Sequence, residues 1–447
     1  MYIPFAAAGA LILLFFVILA FSSIREHKPR ATLLSLLTAA SVTAAWFGWL
    51  LYYDPGDLQL TIPVVMILMI VLCYFMPLGG KKILRIGESS ERVDERDTMF
   101  ARDEYVPGTE KFEKYYAMRP ENREIDDKMR RFPPLLEPGG RYYDRYRSGY
   151  IVSLFKFEER LVSQADGPVS STRENVESVS ISRKLKDYAL HLGADEVGIA
   201  RLNPRYVYSH VGRGPGQWGK AIENRHPYAI AYSVEMAYEK VEEAPGIGIS
   251  EETALQYLNT QMISISLAQY IRDLGYSARA HIPGSDYQIM LPPVAYDAGI
   301  GELGRLGYII SPKFGARIRL GAVTTDIPLI EDAPVQFGVQ DFCEKCRKCA
   351  VNCPSGSIPF GDKTIDRGVE KWQMQMEKCF HYWRHIGTDC GLCMRVCPFS
   401  HPTTLIHNIV RRGIKHSSFA RTVSVYGDDF FYGKKVSFPR FPEENKQ

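Results

Sequence analysis

The sequence has 447 residues, more than one average domain, which predicts one large or two to three smaller folded units. Its formal net charge is +3, from 54 basic and 51 acidic residues, so the chain has no overall field strong enough to attract nucleic acid. Eight of the nine cysteines fall between Cys343 and Cys397. This clustering excludes a dispersed disulfide framework and indicates metal binding.

Three apolar runs open the chain, at Pro4 to Phe21, Ala31 to Tyr53 and Leu60 to Leu78. Each is near the ~20 residues that a helix needs to cross a bilayer. A secretory signal has one shorter apolar stretch and no further spans behind it. Region 1–80 is therefore predicted to be an anchor of three transmembrane helices in the lipid bilayer, with three buried core helices as the alternative.

The charges in the loops predict the orientation of this anchor. Basic residues follow the first and third runs, at Arg25, Lys28, Arg30, Lys81, Lys82 and Arg85. The loop between the second and third runs carries Asp54 and Asp57 instead. Because basic loops stay cytoplasmic, we expect a protein anchored in the cytoplasmic membrane whose catalytic part, after Gly80, faces the cytoplasm. No twin-arginine pair precedes an apolar stretch, so no signal supports export of a folded domain.

Region 81–150 is charged, aromatic and interrupted by prolines. Its aromatic residues supply apolar area worth burying, which argues against disorder: Phe100, Tyr105, Phe112, Tyr115 and Tyr116. We expect an arm that wraps the surface of a domain.

Region 151–335 has the pattern of a mixed α/β domain. Val176 to Leu192 has apolar residues at helical spacing, ends at Gly193, and precedes a strand-like stretch from Val197 to Arg201. The stretch from Glu251 to Leu274 repeats this arrangement and is followed by Ala278 to His281. These patterns predict two helices that each lead into a strand.

The cysteines form two sets in region 336–405. The first is Cys343-x2-Cys346-x2-Cys349-x3-Cys353-Pro, and the second is Cys379-x10-Cys390-x2-Cys393-x3-Cys397-Pro. Short gaps allow successive sulfurs to surround one cubane, and the cysteine before proline reaches the neighbouring cluster. The pattern predicts two [4Fe-4S] clusters in a ferredoxin-like module.

By this logic the ligands cross between the two sets. Cluster one takes Cys343, Cys346, Cys349 and Cys397. Cluster two takes Cys379, Cys390, Cys393 and Cys353. Zinc is the alternative, but structural zinc sites use pairs of cysteines and not three plus one with a terminal Cys-Pro. Cys73 stands apart in an apolar run, and residues 406–447 form a C-terminal extension.

Several stretches outside the cysteines carry a resemblance to a known family, from about Asp97 to the end of the second cysteine set. They are YYAMRPE at 115–121, GADEVGIARLNP at 193–204 with VYS at 207–209, AGIGELGR at 298–305, SPKFGAR at 311–317 and TDIPL at 325–329. With the cysteine sets, the sequence resembles the corrinoid-dependent reductive dehalogenases.

The resemblance implies a nitroreductase-like α/β domain that holds cobalamin. The two clusters reduce this cofactor, which cleaves a carbon-halogen bond in a small organohalide. The sequence has no Asp-x-His-x-x-Gly motif, which agrees with the base-off corrinoid of that family.

Two departures from the family concern location and electron supply. Exported members have a twin-arginine signal and a separate anchor protein, whereas three apolar runs are fused to this chain. Some members carry a reductase extension, which is absent from this sequence. We therefore expect an external electron donor, either ferredoxin, flavodoxin or a membrane quinol system.

The resemblance also implies catalytic residues. Tyr257 matches the family's proton-donating tyrosine, and Thr253, one helical turn earlier, shares its face. A nearby cation would stabilise the phenolate, and Arg305, Arg317 and Arg319 all lie in matching stretches. Arg317 is our choice because of its separation from Tyr257, and Arg305 is kept as a second catalytic candidate.

A glycine-rich run precedes Arg305, at Gly299, Gly301 and Gly304. It predicts either a tight turn or a close approach of the backbone to a cofactor, which would make these glycines cofactor-binding residues. In the loop between Cys379 and Cys390, Trp383 is expected to pack or to line a pocket, and His381 and His385 are expected at the surface.

Two other functions remain open. An epoxyqueuosine-reductase-like enzyme also combines cobalamin with two [4Fe-4S] clusters, although the anchor and the lack of a basic patch oppose a tRNA substrate. The second is a membrane-anchored electron-transfer subunit with no substrate of its own. Binding of a corrinoid would distinguish an enzyme from such a carrier.

Overall fold

The computed structural model describes residues 2–50, 52, 61–214, 216–282 and 286–438. It opens with three helices, α1 (Tyr2–Arg25), α2 (Pro29–Leu50) and α3 (Thr61–Phe75). Among the described residues, α1 and α2 are long and apolar enough to cross a membrane, whereas α3 has 15 residues. The predicted external loop with Asp54 and Asp57 lies outside the described residues.

The arm contains the helices α4 (Met99–Asp103), α5 (Glu110–Met118) and α6 (Arg123–Met129), and α7 (Arg145–Leu161) follows it. The predicted burial of its aromatic residues is confirmed for Tyr105, Phe112, Tyr115 and Tyr116, which form one cluster. Helix α7 runs through residue 150, so the predicted end of the arm is corrected to Asp144. The Asp144 side chain accepts hydrogen bonds from the backbone at the start of α7.

The arm connects two parts of the molecule. On the α/β domain, Arg92 donates to the carbonyl oxygens of Val207, Tyr208 and Ile222. On the cysteine module, the amide of Leu136 donates to Gly387 O. The arm therefore fixes the module against the domain in addition to covering its surface.

The central domain is α/β, as predicted. Its elements are α8 (Ser178–His191), β1 (Glu196–Arg201), β2 (Tyr228–Glu235), α9 (Tyr238–Glu242), α10 (Ile247–Asp273), β3 (Ala278–His281), α11 (Leu291–Asp297), β4 (Glu302–Leu303), β5 (Ile309–Ile310) and β6 (Ile318–Thr325). Helices α8 and α10 and the strands that follow them confirm the two predicted helix-strand pairs.

The main sheet has the order β1-β2-β6-β3, and all its neighbouring strands are antiparallel. Alternate residues face opposite sides. Ile230 and Val323 pack in one core with α8 and α10, and Ala229 and Ala322 pack in another with α11. The sheet therefore lies between two helical layers. A side chain at Gly198 would meet the carbonyl of Ala298, so this glycine allows the residue after α11 to approach β1.

The cysteine module and the C-terminal region complete the fold. Their elements are α12 (Val339–Cys346), α13 (Lys348–Asn352), β7 (Thr364–Asp366), β8 (Val369–Lys371), α14 (Met376–Ile386), α15 (Leu392–Arg395), α16 (Leu405–His416) and α17 (Ser418–Tyr432). Helices α16 and α17 pack on α12 and on the three N-terminal helices. The extension predicted after residue 405 is thus the contact between the module and the N-terminal helices, and residues 439–447 lie outside the described part.

Candidate active site and cysteine centres

Four thiols surround one enclosed cavity, and we call them group one: Cys343, Cys346, Cys349 and Cys397. The first three lie on α12 and α13, which are separated only by Arg347 in the left-handed conformation (φ 52°). Cys397 comes from the turn after α15. Phe342 and Phe399 close the cavity with ring centroids 4.8 Å apart. The structure thus brings Cys397 to the first cysteine set.

The remaining four thiols of the module form group two: Cys353, Cys379, Cys390 and Cys393. Cys390 and Cys393 both interact electrostatically with Cys379 and Cys353. Cys379 also interacts with Cys353. Cys353 belongs to the first set in sequence and lies with the second set in space. Three members of this group are half-buried, and only Cys390 is buried.

The surroundings of both groups suit a metal cluster. Burial raises the pKa of Cys343, Cys346 and Cys397 to about 12, and it does the same for Cys379 and Cys390. Buried thiols of this kind become thiolates when they bind iron, which supplies the compensating positive charge. The thiol chemistry therefore fits iron-sulfur ligation.

Arg305, the second catalytic candidate from the sequence, lies beside group one. Its guanidinium donates to the carbonyl oxygens of Cys343, Pro359 and Gly361 at 2.7–3.1 Å. It also lies over the ring of Trp372. The side chain is 1% exposed, and all these contacts hold the loop around Cys343.

The glycine-rich run before Arg305 packs against the chain itself. A Cβ at Gly301 would lie 2.2 Å from Ile310 O, and one at Gly299 would lie 2.6 Å from Ala333 O. At Gly304 it would meet the Ile310 side chain. Glu302, between these glycines, accepts hydrogen bonds from the three amides at the start of α12. Gly299 and Gly301 therefore lead into β4, Gly304 begins the turn from β4 to β5, and Glu302 fixes the start of α12, so the tight-turn interpretation describes the run.

Arg317 does not contact Tyr257, so the choice of this arginine was wrong. Its Nε donates to Ser400 O at 2.6 Å, and its Nη1 donates to Met236 O and to Glu235. The side chain is fully buried. Because Ser400 follows Cys397 closely, Arg317 fixes the segment that supplies the fourth thiol of group one.

Arg319, two residues further along β6, is the cation beside Tyr257. Its guanidinium lies 5.1 Å from the centroid of the Tyr257 ring, and Nη2 donates to Thr253 Oγ1 at 2.6 Å. Thr253 and Tyr257 are one turn apart on α10 and share a face. Asp389 Oδ2 lies 3.9 Å from the same guanidinium. These side chains form a compact site between α10, β6 and the loop before Cys390.

Two further tyrosines, which sequence reasoning missed, belong to this site. Tyr308 interacts electrostatically with Cys393 and Arg319. Tyr287 interacts in the same way with Arg213 and Tyr257. Burial raises the pKa of Tyr287 to about 12. Both rings lie deep in the protein and still keep accessible surface. Tyr308 is therefore close both to the Tyr257 site and to group two. In the sequence they are two of 26 tyrosines.

Cys379 lies on α14, which extends to Ile386 in the segment before Cys390 and packs against the arm. Trp383 contacts Phe100 in a tilted ring pair, in agreement with a packing role. His381 and His385 are half-buried and pack edge-on against Phe132. Their expected position at the surface is therefore corrected.

Comparison with known proteins agrees with this geometry. Residues 342–401 match the family of 4Fe-4S dicluster domains. The tetrachloroethene reductive dehalogenase of Sulfurospirillum multivorans is 32% identical over 320 residues, which cover 63% of each chain. That of Desulfitobacterium hafniense is 30% identical over 52% of this chain and 50% of its own. This chain is similar to reductive dehalogenases over more than half of its length.

Solved structures of reductive dehalogenases have the same fold. The catabolic reductive dehalogenase NpRdhA matches 81% of this chain with a TM-score of 0.65 and 26% identity. A second structure, described as suggesting a mechanism for B12-dependent dehalogenation, matches 81% with a TM-score of 0.64 and 25% identity. These matches cover 50% and 51% of those chains. This chain thus spans between half and two thirds of the reductive dehalogenases compared here.

Similarity to epoxyqueuosine reductases is more limited. The enzyme of Lactococcus garvieae is 28% identical over 120 residues, which cover 24% of this chain. The reductive dehalogenase relatives match more than twice that share. The similarity to reductive dehalogenases therefore extends well beyond the cysteine module.

Proposed function

We propose that this protein reduces an organohalide, replacing the halogen by hydrogen. The overall change consumes two electrons and one proton and releases one halide ion. The observation that supports it best is that Tyr308 interacts both with Tyr257 and Arg319 and with Cys393 of group two. A proton donor and a source of electrons would then lie near one site, as this reaction requires.

Cobalamin is proposed to bind in a nitroreductase-like domain, beside Tyr287, Tyr308 and Arg319. When bound and reduced, a corrinoid supplies the low-potential cobalt that cleaves carbon-halogen bonds. The fit is supported by Tyr287, Tyr308 and Arg319, which keep accessible surface deep inside the domain. Among the described residues, the buried Nε of Arg319 has no hydrogen-bond partner. The missing Asp-x-His-x-x-Gly motif agrees with the base-off form.

Tyr257 is proposed to deliver the proton from its hydroxyl to the carbon that loses the halide. The phenolate that remains needs a stabilising charge, and the guanidinium of Arg319 lies over its ring. The hydrogen bond from Arg319 to Thr253 Oγ1 keeps the guanidinium on this side of α10. Arg319 is thus a positioning and charge-stabilising partner of Tyr257.

The two thiol groups are proposed to hold one [4Fe-4S] cluster each and to pass single electrons inward. Group two would be the terminal donor because Cys393 is close to Tyr308, which also interacts with Tyr257. Group one would receive electrons from the external donor and pass them to group two. The donor is proposed to be ferredoxin, flavodoxin or a membrane quinol system, and no nucleic acid takes part.

The N-terminal helices are proposed to anchor the protein in the cytoplasmic membrane. Helices α1 and α2 expose large apolar side chains along their lengths, including Leu11, Phe21 and Leu37. Helix α3 has no buried residue. Such a surface is unfavourable in water and suits lipid. We include α3 in the anchor, and the basic residues near the ends of α1 and α3 favour a catalytic part that faces the cytoplasm.

A reconstituted enzyme assay tests this function. The full-length protein in nanodiscs, loaded with iron-sulfur clusters and corrinoid under anaerobic conditions, is given reduced viologen and a panel of chlorinated and brominated compounds. We expect halide release in equal amount to the dehalogenated product, and only with corrinoid. Failure to retain a corrinoid, with no halide released from any compound, would support the electron carrier instead.

Reporter fusions test the orientation. A reporter placed after Gln447 is expected on the cytoplasmic side, and one inserted between Asp54 and Gln59 is expected outside. The reverse pattern would place the catalytic part outside the cell.

A further inference from the structure

A second cluster of potential ligands lies where the anchor meets the cysteine module. Glu26 is in the turn between α1 and α2, His401 follows the turn after α15, and His407 is on α16. The carboxylate oxygen and the two ring nitrogens lie within 4.8 Å of one another. Glu26 is 4% exposed and His407 is 7% exposed, so the cluster is inside the protein.

The atoms that could bind a metal are close neighbours. His407 Nε2 lies 2.7 Å from Glu26 Oε1, and His401 Nδ1 lies 3.5 Å from Glu26 Oε2. Among the described residues, Glu26 Oε2 has no hydrogen-bond partner. The two imidazole rings are stacked with an interplanar angle of 4°. Their edges therefore meet the carboxylate side by side.

The surroundings of His401 also suit a metal ligand. Its other nitrogen, Nε2, lies 2.8 Å from Asp428 Oδ1, and Asp428 is paired with Lys348. When Nε2 carries the proton and donates it to Asp428, the lone pair of Nδ1 points toward Glu26. A histidine that binds a metal through one nitrogen usually donates its other N–H to a carboxylate in this way. Ser22 Oγ donates to Glu26 Oε1 at 3.0 Å and orients the carboxylate.

We propose that Glu26, His401 and His407 bind one divalent transition-metal ion. Two imidazole nitrogens and one carboxylate oxygen are the ligand set of Zn²⁺, whereas Mg²⁺ and Ca²⁺ prefer oxygen ligands throughout. The ion links the turn of the membrane hairpin to the helices that follow Cys397. This site is separate from the eight cysteines and from Tyr257, and it does not depend on the proposed dehalogenation.

Metal analysis of the full-length, cluster-loaded protein tests the site. After equilibration with Zn²⁺ and removal of the excess, we expect about one zinc per chain by mass spectrometry. His407→Gln and Glu26→Gln are each expected to lose this zinc with unchanged iron. His416→Gln, an exposed position at the end of α16, is the matched control and is expected to keep it.

X-ray absorption at the zinc edge identifies the ligands without any variant. The site predicts nitrogen and oxygen neighbours at about 2.0–2.1 Å, whereas zinc that occupies cysteine positions has sulfur neighbours at about 2.3 Å. Sulfur ligation would overturn the proposal. So would a wild-type protein that retains no zinc, or a His407→Gln variant that retains the full amount, because the residues would then form only a hydrogen-bonded cluster.

Discussion

The two thiol groups differ in how the protein encloses them. All four thiols of group one are buried at 7–8% exposure, and Arg305 and Arg317 hold the loops that carry them. In group two only Cys390 is buried. Cys393 of this group interacts electrostatically with Tyr308. Group one is thus more deeply enclosed by the protein than group two, three of whose thiols keep accessible surface.

The largest effect is expected from the crossing cysteines. Cys397→Ser and Cys353→Ser are each expected to abolish turnover and to remove about half of the iron, because a lost thiolate exposes one iron of a cluster. Cys73→Ser, in α3, is the control and is expected to change neither. Iron analysis and EPR of the reduced protein measure the outcome.

The EPR signals that remain assign each cysteine to its group. Cys353→Ser is expected to leave the same signal as Cys379→Ser, and Cys397→Ser the same signal as Cys343→Ser. If Cys353→Ser instead matched Cys343→Ser, the ligands would not cross and the two groups would be assigned incorrectly.

The next largest effect concerns Tyr257. Tyr257→Phe keeps the ring and removes the proton donor, so dehalogenation is expected to fall by ~10²- to 10⁴-fold while corrinoid and iron contents are unchanged. Tyr270→Phe, further along α10, is the matched control. Wild-type turnover by Tyr257→Phe with bound corrinoid would show that the proton comes from another group.

The effects of losing Arg319, in β6, and Arg317, directly before β6, are expected to differ. Arg319→Met is expected to lower turnover by about 10- to 100-fold with full iron content, since only the charge beside Tyr257 is lost. Combined with Tyr257→Phe it is expected to add little, because the two residues act as a unit. Arg317→Met is expected to lower iron content, because it frees the segment after Cys397. Equal iron loss in both variants would contradict these separate roles.

The smallest effect is expected at Glu158, a buried carboxyl on α7 that contacts neither thiol group. Burial raises its pKa from 4.5 to about 8, so the folded protein holds this proton at pH values where the unfolded chain has lost it. The stability from this group is fully present below pH 4.5 and is lost as the pH rises to about 8.

Glu158→Gln removes this titration while keeping the shape of the side chain. At pH 8.5 it is expected to stabilise the protein by about 1–3 kcal/mol, seen as a rise of a few degrees in Tm. At pH 5, where the wild-type carboxyl is neutral, little change is expected. An equal shift at both pH values would mean that the effect does not come from ionisation, and iron content is expected to stay constant.

The parts that sequence predicted well have local signals. The spacing of Cys343, Cys346 and Cys349 fixes a turn around one centre, and the apolar period of Val176 to Leu192 fixes a helix. Both depend on neighbours along the chain. They could therefore be read without knowledge of the tertiary structure.

The partner of Tyr257 has no such local signal. Arg317 and Arg319 are two residues apart, so a strand pattern would place them on the same side, and the separation from Tyr257 along the sequence cannot distinguish them. Their tertiary contacts distinguish them, because Arg317 donates a hydrogen bond to Ser400 O and Arg319 donates one to Thr253 Oγ1. Arg305 and the glycines before it have no local signal either, since their partners are around α12 and β5.

The exchange of Cys353 and Cys397 between the two groups has a consequence for biogenesis. Each ligand set combines segments from both halves of the module, so neither half can complete a cluster while the other is unfolded. Insertion of iron is then expected only after both halves have folded against each other. A nascent chain stays without either cluster until α15, which carries Cys393, has left the ribosome.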